Sequence, residues 1–387
     1  MDKEISRRSF LKTGTAAAVG LAVAPNVIIA GEKTPKKKKK PTPASDKLNI
    51  LGVGIGGRGA ADLAAMETEN IIGLCDVDWK YADHIFKKYP QAKKYNDYRV
   101  MFDEMLDQAD AVMVATADHT HAIIAAQAIA AGKHVYVEKP MALSYEDTKR
   151  MQAAIKKSGK KVCVGFECRY SMQVKLLNSI VEKGLIGDVT YGESDYYHGI
   201  GPWYRQFCWS NTAAGGGSAL LSGGCHAMDA LMYLMREPVE EVMSYSTKSK
   251  ADCFASYEFD PCSVTIIKFA NGKVGKCAAS IDCLQPYYFH FQLVGSKGSI
   301  RDNQLYSTDL DGLVKDRWTT MQTSTLDSGE VLDHPYNPQM QAFVDAIHND
   351  TEVPLTSFED AFKTHKAIFA ADLSAKLGRP VKLSELD

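Results

Sequence analysis

The apolar residues of this chain follow two rhythms. From residue 48 to 165, short apolar runs at 48–53, 71–75, 111–115, 134–137 and 162–165 alternate with stretches that have helical spacing at 60–66, 81–89, 121–131 and 145–158. Pro90, Gly132 and Gly159 stand where three of those helices should stop, and Ser144-Tyr145-Glu146-Asp147 resembles a capping box. Strands of buried type separated by helices predict a parallel, doubly wound sheet, because parallel neighbours need a crossover between them. After one more helix, about 172–183, the runs become strand-like at 190–197, 239–246, 254–259, 263–269, 274–280 and 289–294. Asn271-Gly272 joins two of these as a hairpin turn. A glycine-rich loop at 215–224 leads into a helix ending at Met235, and two terminal helices are expected near 338–349 and 357–378. The expected fold class is α/β: a doubly wound parallel sheet, then an α+β domain with a large, mostly antiparallel open sheet carrying helices on one face.

Composition narrows the picture. The 387 residues are 45% hydrophobic and 24% charged, ordinary globular proportions with length enough for two domains. The formal charge of −2 is unevenly spread: residues 1–47 hold eleven Lys or Arg against four Asp or Glu, a net of +7, which leaves −9 on the body. An acidic body gives no electrostatic reason to expect nucleic acid. The basic head carries Ser6-Arg7-Arg8-Ser9-Phe10-Leu11-Lys12 and then a mildly apolar stretch at 13–30. That reads as a twin-arginine (Tat) signal over 1–30, too weakly apolar for a persuasive membrane span; Ala24 and Ala30 both end candidate cleavage motifs, with an uncleaved tether as the alternative. The expected location is periplasmic or otherwise extracytoplasmic. Five lysines at 36–40 between prolines make 31–46 a solvated linker. Nine scattered cysteines without a C-x-x-C pair predict buried thiols rather than a disulfide framework or zinc site.

Candidate chemistry begins at Gly52-x-Gly54-x-x-Gly57, which follows a strand and opens a helix. In such a fingerprint the first glycine permits the turn, the second lets the backbone approach a pyrophosphate, and the third lets helix and strand pack closely. The helix N-terminus supplies N–H groups for the phosphates. Asp76 lies 19 residues after Gly57 at a strand end, where a ribose-binding carboxylate belongs. An acidic group there favours NAD, while Arg58 and Lys80 leave NADP open. Thr116, Asp118 and His119 follow the third strand, at the crevice where open sheets bind ligands. His119 and His121 could suggest a metal pair, but no metal site is expected.

Glu138-Lys139-Pro140 follows the fourth strand. A lysine at a buried strand end must be paired or depressed in pKa. Alternation along a strand turns Lys139 into a cleft and Glu138 away from it. Such a lysine can assist proton transfer during hydride removal. Trp203, Tyr204, Arg205 and Trp209, with Tyr196, Tyr197 and His198, are rich enough in flat faces to form a sugar platform or a packed loop.

The glycine motif, Cys75-Asp76, Thr116 to His119, Glu138-Lys139-Pro140, Gly165-Phe166-Glu167-Cys168-Arg169-Tyr170 and the segment 215–229 occur in an order that resembles the glucose–fructose oxidoreductase, inositol dehydrogenase and rhizopine-catabolism (Gfo/Idh/MocA) family, over about residues 47–380. The resemblance implies a Rossmann NAD(P)-binding domain at 47–168 and a substrate and oligomerisation domain at 169–387 with C-terminal helices at 338–378. It implies a homo-oligomer through the second sheet and a sugar- or polyol-like substrate. It makes Lys139 and His226 the catalytic pair. Where the family often reads Asp-x-Gly-x-His, this chain has Ser222-Gly223-Gly224-Cys225-His226, and a serine cannot orient a histidine as a carboxylate does; Asp229, one turn on, is a partial substitute. The expected cofactor contacts are Gly52, Gly54, Gly57, Arg58, Asp76, Thr116, Asp118, His119 and Glu138, and the expected substrate contacts Arg169, Tyr170, Trp203, Arg205 and Ser222. The function expected is an exported NAD(P)-dependent oxidoreductase. The alternatives are an NAD-retaining glycoside-cleaving enzyme that works by transient oxidation and elimination, and a non-catalytic nucleotide-binding sensor.

Overall fold

In the computed structural model, which describes residues 46–326 and 334–387, strand and helix alternate through the first half. The order is β1 (Asn49–Val53), α1 (Arg58–Ala65), β2 (Asn70–Cys75), α2 (Trp79–Lys88), β3 (Lys93–Tyr95), α3 (Tyr98–Met105), β4 (Ala111–Val114), α4 (Asp118–Ala130), β5 (His134–Val137), α5 (Tyr145–Ser158) and β6 (Val162–Val164). The expected signal, and the expected linker except Asp46, lie outside the described residues. The strands are parallel in the order β3-β2-β1-β4-β5-β6. The winding reverses between β1 and β4, which opens a crevice beyond their carboxyl ends. Local chemistry sets the helix ends. At α5, Ser144 accepts from the Asp147 N–H, Glu146 and Asp147 fill the first turn, Lys156 and Lys157 the last, and Gly159 closes it at φ 65°. The apolar pattern did not announce β3 and α3, because β3 is an edge strand with exposed Lys93 and Lys94.

The second half runs α6 (Met172–Glu182), β7 (Val189–Tyr197), three short helices α7 (Phe207–Ser210), α8 (Ala213–Gly216) and α9 (Ala219–Ser222), α10 (Cys225–Met235), β8 (Val239–Thr247), β9 (Cys262–Phe269), β10 (Val274–Ser280), β11 (Tyr288–Gly295), β12 (Gly298–Arg301), β13 (Gln304–Ser307), β14 (Thr319–Thr320), α11 (Tyr336–His348), α12 (Phe358–Leu377) and β15 (Val381–Lys382). Its nine-stranded sheet has the order β14-β13-β12-β11-β7-β10-β9-β8-β15, antiparallel except where β7 meets β10. The expected strand at 254–259 is absent. A 3-10 turn at Asp252–Phe254 and the loop after it bury Phe254 and Tyr257 instead, with the Tyr257 hydroxyl donating to Ile200 O at 2.7 Å. An apolar run without alternation does not distinguish a buried loop from a strand.

Helices α10 and α12 cover one face of this sheet. On β8, β9 and β10, Tyr245, Val264, Ile266 and Val274 are exposed. Although α11 comes from the 169–387 half, its Met340, Phe343 and Val344 share a core with Leu63 of α1 and with Leu74 and Tyr136 of the first sheet. This helix, which follows the boundary expected at 168, thus packs with the elements that precede it. All nine cysteines are free, and Cys208 is exposed rather than buried. Among the described residues no helix is long and apolar enough to cross a membrane.

Candidate active site

A cavity of about 1050 Å³ lies beyond the carboxyl ends of β1 and β4, lined by both halves of the chain. At one end is the glycine turn. Gly54 takes φ +78°, and a Cβ there would sit 2.5 Å from Ala115 O. Gly57 is the uncapped N-cap of α1, and a Cβ on it would meet nothing nearer than 3.5 Å. Close packing of helix on strand falls to Gly59, which faces Gly54 O, and not to Gly57 as the fingerprint suggested. Gly52 packs against Leu63 and Leu74 instead of lining the cavity. Asp76 pins the turn: its Oδ2 accepts from Ile55 N at 2.9 Å and Gly56 N at 3.0 Å, and its Oδ1 from Asp78 N at 2.9 Å. The open glycine turn, the uncapped helix N-terminus and a fixed carboxylate at the β2 end fit the pyrophosphate and ribose of a dinucleotide.

Arg58 lines the cavity, but as part of a buried charge cluster that Glu138, also on the cavity wall, shares. Its guanidinium lies 4.0 Å over the Tyr336 ring and faces Glu138, Glu167 and Asp62, so it is engaged inside the protein and not offered to a 2′-phosphate. Burial and neighbouring Glu138 push Asp62 well up, and neither of its carboxyl oxygens has a hydrogen-bond partner. Glu138 likewise belongs to this buried charge cluster: it accepts from the Tyr136 hydroxyl at 2.8 Å and Lys139 N at 3.0 Å, and burial with Glu167 beside it raises its pKa.

Thr116, Asp118 and His119 line the middle of the cavity. Burial lifts the Asp118 carboxyl to about 7 against the pull of Lys139. His119 packs edge-on to Trp209, while His121 commits Nδ1 to Pro140 O at 2.8 Å and Nε2 to Thr116 O at 3.0 Å. Those two histidines form no metal pair.

At the far end Lys139 follows β5, before a cis bond to Pro140, and donates from Nζ to the backbone carbonyl of Ser222 at 3.2 Å. Burial alone would lower its pKa, but Cys225, Glu138, Asp118 and Glu167 outweigh it and hold it above the ordinary value. Lys139 is thus a paired ammonium, not a depressed amine. His226 opens α10 and faces the same cavity. Burial drives its imidazole well below the ordinary range despite Glu167, so it is neutral. Its Nδ1 has no partner. Asp229 does not serve it: that carboxylate takes Arg169 at 2.6 and 2.7 Å and Thr364 at 2.8 Å.

Glu167, not Asp229, is the carboxylate beside His226. It lies 3.8 Å from His226 Nε2 and 2.7 Å from His334 Nδ1. Burial opposes its ionisation, yet the adjacent imidazoles and Arg58 hold it below the ordinary range. Glu167 belongs to the motif 165–170, and its position just past β6, at a strand's carboxyl end, is the signal in the sequence that could have pointed to it. His334 and Tyr336, which also line the cavity, carried none.

Several expected substrate contacts lie elsewhere. Arg169 is buried against Asp229, donates to Leu355 O at 2.7 Å and covers the Tyr233 ring; Tyr170 donates to Pro354 O at 2.6 Å. Neither lines the cavity, because the 3-10 turn Glu167–Tyr170 sends successive side chains in different directions. Trp203, 58% exposed, lines a separate hollow of about 420 Å³ with Leu284 and Pro286. Arg205 does line the cavity, but toward the cofactor end, paired with Asp78 and 4.0 Å over the Tyr81 ring. Alternation along β7 places Tyr196 in the cavity and Tyr197 against Tyr288. Tyr196, His198 and Tyr204 form a hydrogen-bonded wall, with links of 2.9 and 2.8 Å.

The family profile described as "Oxidoreductase family, NAD-binding Rossmann fold" matches residues 47–166, the GFO/IDH/MocA C-terminal domain matches 174–301, and a twin-arginine translocation signal matches 4–24. Myo-inositol 2-dehydrogenase of Thermotoga maritima is 25% identical over 88% of this chain and 99% of its own. Glycosyl hydrolase family 109 protein 1 of Akkermansia muciniphila is 28% identical over 51% of this chain and 49% of its own. The solved scyllo-inositol dehydrogenase of Lactobacillus casei, with NAD(H) and scyllo-inositol, superposes with a TM-score of 0.71 at 20% identity, covering 87% of this chain and 99% of that one.

Proposed function

Because the chain belongs to the GFO/IDH/MocA family of oxidoreductases, whose first domain is an NAD-binding Rossmann fold, we propose that it is exported and transfers hydride between NAD and a carbinol carbon of a sugar- or polyol-like substrate. One observation carries this reading: Lys139 and His226 open onto a single cavity that runs back to Gly54 and Gly57. NAD, when bound, supplies the hydride acceptor. The Lys139 ammonium donates to the carbinol oxygen and steadies its growing charge. The neutral His226 imidazole takes the hydroxyl proton in the oxidative direction and returns it in the reductive one. The ring wall of Tyr196, His198 and Tyr204 gives the substrate a flat face and hydroxyl partners.

Reduced-nicotinamide absorbance followed over a panel of inositols and hexoses should rise, and the rise should vanish in Lys139→Ala. The likeness to the Akkermansia hydrolase and the export signal favour a second reading, transient oxidation followed by elimination. Phenolate release from nitrophenyl glycosides without net cofactor reduction would select it. Tight NAD binding with neither signal would overturn both in favour of a sensor. Self-association through the outer face of β8–β10 belongs to the same reading and is supported by the exposed Tyr245, Val264, Ile266 and Val274. Light scattering should report an oligomer that Ile266→Glu dissociates; an unchanged mass would remove this face as the contact.

A further inference from the structure

We propose that Glu167, Cys168, His226 and His334 form a binding site for a divalent transition metal of the zinc class at the floor of the cavity. One ligand atom from each of the four lies within 4.8 Å of the others, and all four residues are buried. Cys168 Sγ is 3.8 Å from His334 Nδ1, and Glu167 Oε1 is 2.7 Å from that nitrogen and 3.8 Å from His226 Nε2. A tetrahedral ion with bonds of about 2.0–2.3 Å holds its ligands roughly 3.3–3.8 Å apart, so small side-chain adjustments close the shell.

The protein alone does not fully satisfy these side chains: Glu167 Oε2 and His226 Nδ1 are buried without any hydrogen-bond partner, and each group has two atoms of which either can bind an ion. His334 is also oriented from behind, because its Nε2 meets the Tyr287 hydroxyl at 3.1 Å, as metal-bound histidines usually are. One thiolate, two imidazoles and a carboxylate suit zinc or cobalt rather than magnesium or calcium. Binding is balanced by loss of the Cys168 thiol proton to solvent.

Glu167, His226 and His334 line the cavity and Cys168 does not, so the ion would sit at the cavity floor. Four protein ligands complete a tetrahedral shell, the mark of a structural rather than a catalytic zinc. In the metal-loaded chain His226 acts as a ligand and no longer takes the hydroxyl proton, which then leaves to water, because the Lys139 ammonium already carries its own. This inference goes beyond the function proposed above and stands whether or not hydride transfer is found. It also reverses the expectation that the cysteines of this chain bind no metal: Glu167 and Cys168 are adjacent, but the two histidines come from distant segments with no ligand spacing.

The test uses the full chain, purified folded, stripped with a chelator and titrated with Zn²⁺ and then Co²⁺, with NAD binding by fluorescence as the check on folding. The expected result is about one equivalent bound per chain, with visible cobalt bands of tetrahedral intensity and a near-ultraviolet thiolate-to-cobalt band. Cys168→Ser should abolish that band, and His334→Gln should weaken zinc by at least about tenfold, both with NAD binding retained. No stoichiometric metal in a chain that binds NAD would overturn the proposal, and so would a cobalt spectrum unchanged in Cys168→Ser. Because metal is read without turnover, a chain that binds metal but oxidises nothing would refute only the dehydrogenase reading.

Discussion

The two ends of the cavity are built from different materials. At the glycine end, one contiguous strand–turn–helix–strand unit presents backbone: Gly54 and Gly57 leave room, and Asp76 ties the Ile55 and Gly56 amides in place. At the far end four segments converge, and the lining is made of buried charged or polar side chains, Lys139, Glu167, His226 and His334. Backbone sites fail when an added atom collides. Side-chain sites fail when a charge loses its counterpart, because an unpaired group in a dry interior is costly.

The sharpest test of this contrast is Lys139→Ala, which should lower turnover by about 10²–10⁴-fold while NAD affinity measured by fluorescence stays nearly constant. Loss of NAD binding to the same degree would show that the two ends are not separable. Arg169→Met comes next. With Asp229 left unpaired, urea denaturation should show about 3–5 kcal/mol lost, while turnover per folded molecule is kept. A selective loss of substrate affinity would return Arg169 to the pocket. Gly54→Ala should lose about 1–3 kcal/mol from the positive φ alone, together with NAD affinity, because its Cβ would press on Ala115 O; unchanged NAD titration and melting would refute the cradle.

A smaller effect is expected with pH. His365 is lowered to about 4 by burial; it donates from Nδ1 to Ala361 O at 2.8 Å, and its Nε2 accepts from Met141 N at 3.1 Å, bracing the turn after Lys139-Pro140. Its folded value lies below its unfolded one, so between the ordinary histidine value of about 6.5 and 4 the unfolded chain binds the extra proton, and stability falls as pH falls. The melting temperature of His365→Gln should fall less steeply over that window; parallel curves would dismiss the brace. Smallest is Arg205→Ala. Its exposed pair with Asp78 contributes below about 1 kcal/mol, so NAD affinity should weaken at most about fivefold, and less in high salt.

How far the residues could be read follows the same division. The strand–helix alternation, the glycine turn and Asp76 were legible because each depends on neighbours within a few tens of residues. Gly59 took the packing role assigned to Gly57, a difference of two positions that only the helix phase against Gly54 resolves. The strand expected at 254–259 misled because Phe254 and Tyr257 are buried in a loop. Arg169 and Tyr170 were expected near the substrate from the motif they belong to and Trp203 from its aromatic-rich loop; a 3-10 turn sends the first two inward, and Trp203, in the loop after β7, lines another hollow.

The sequence by itself determined the kinds of element, the order in which they wind, the dinucleotide turn and the lysine at the tip of β5, since hydrophobic period, glycine spacing and strand ends are local properties of a chain. Only the tertiary structure decided that Glu167 and His334 stand beside His226, that Arg58 looks inward, and that α11 returns to the first sheet. Those outcomes depend on how segments tens to hundreds of residues apart share one low-dielectric interior, where each buried charge is placed by its partners and not by its neighbours in the chain.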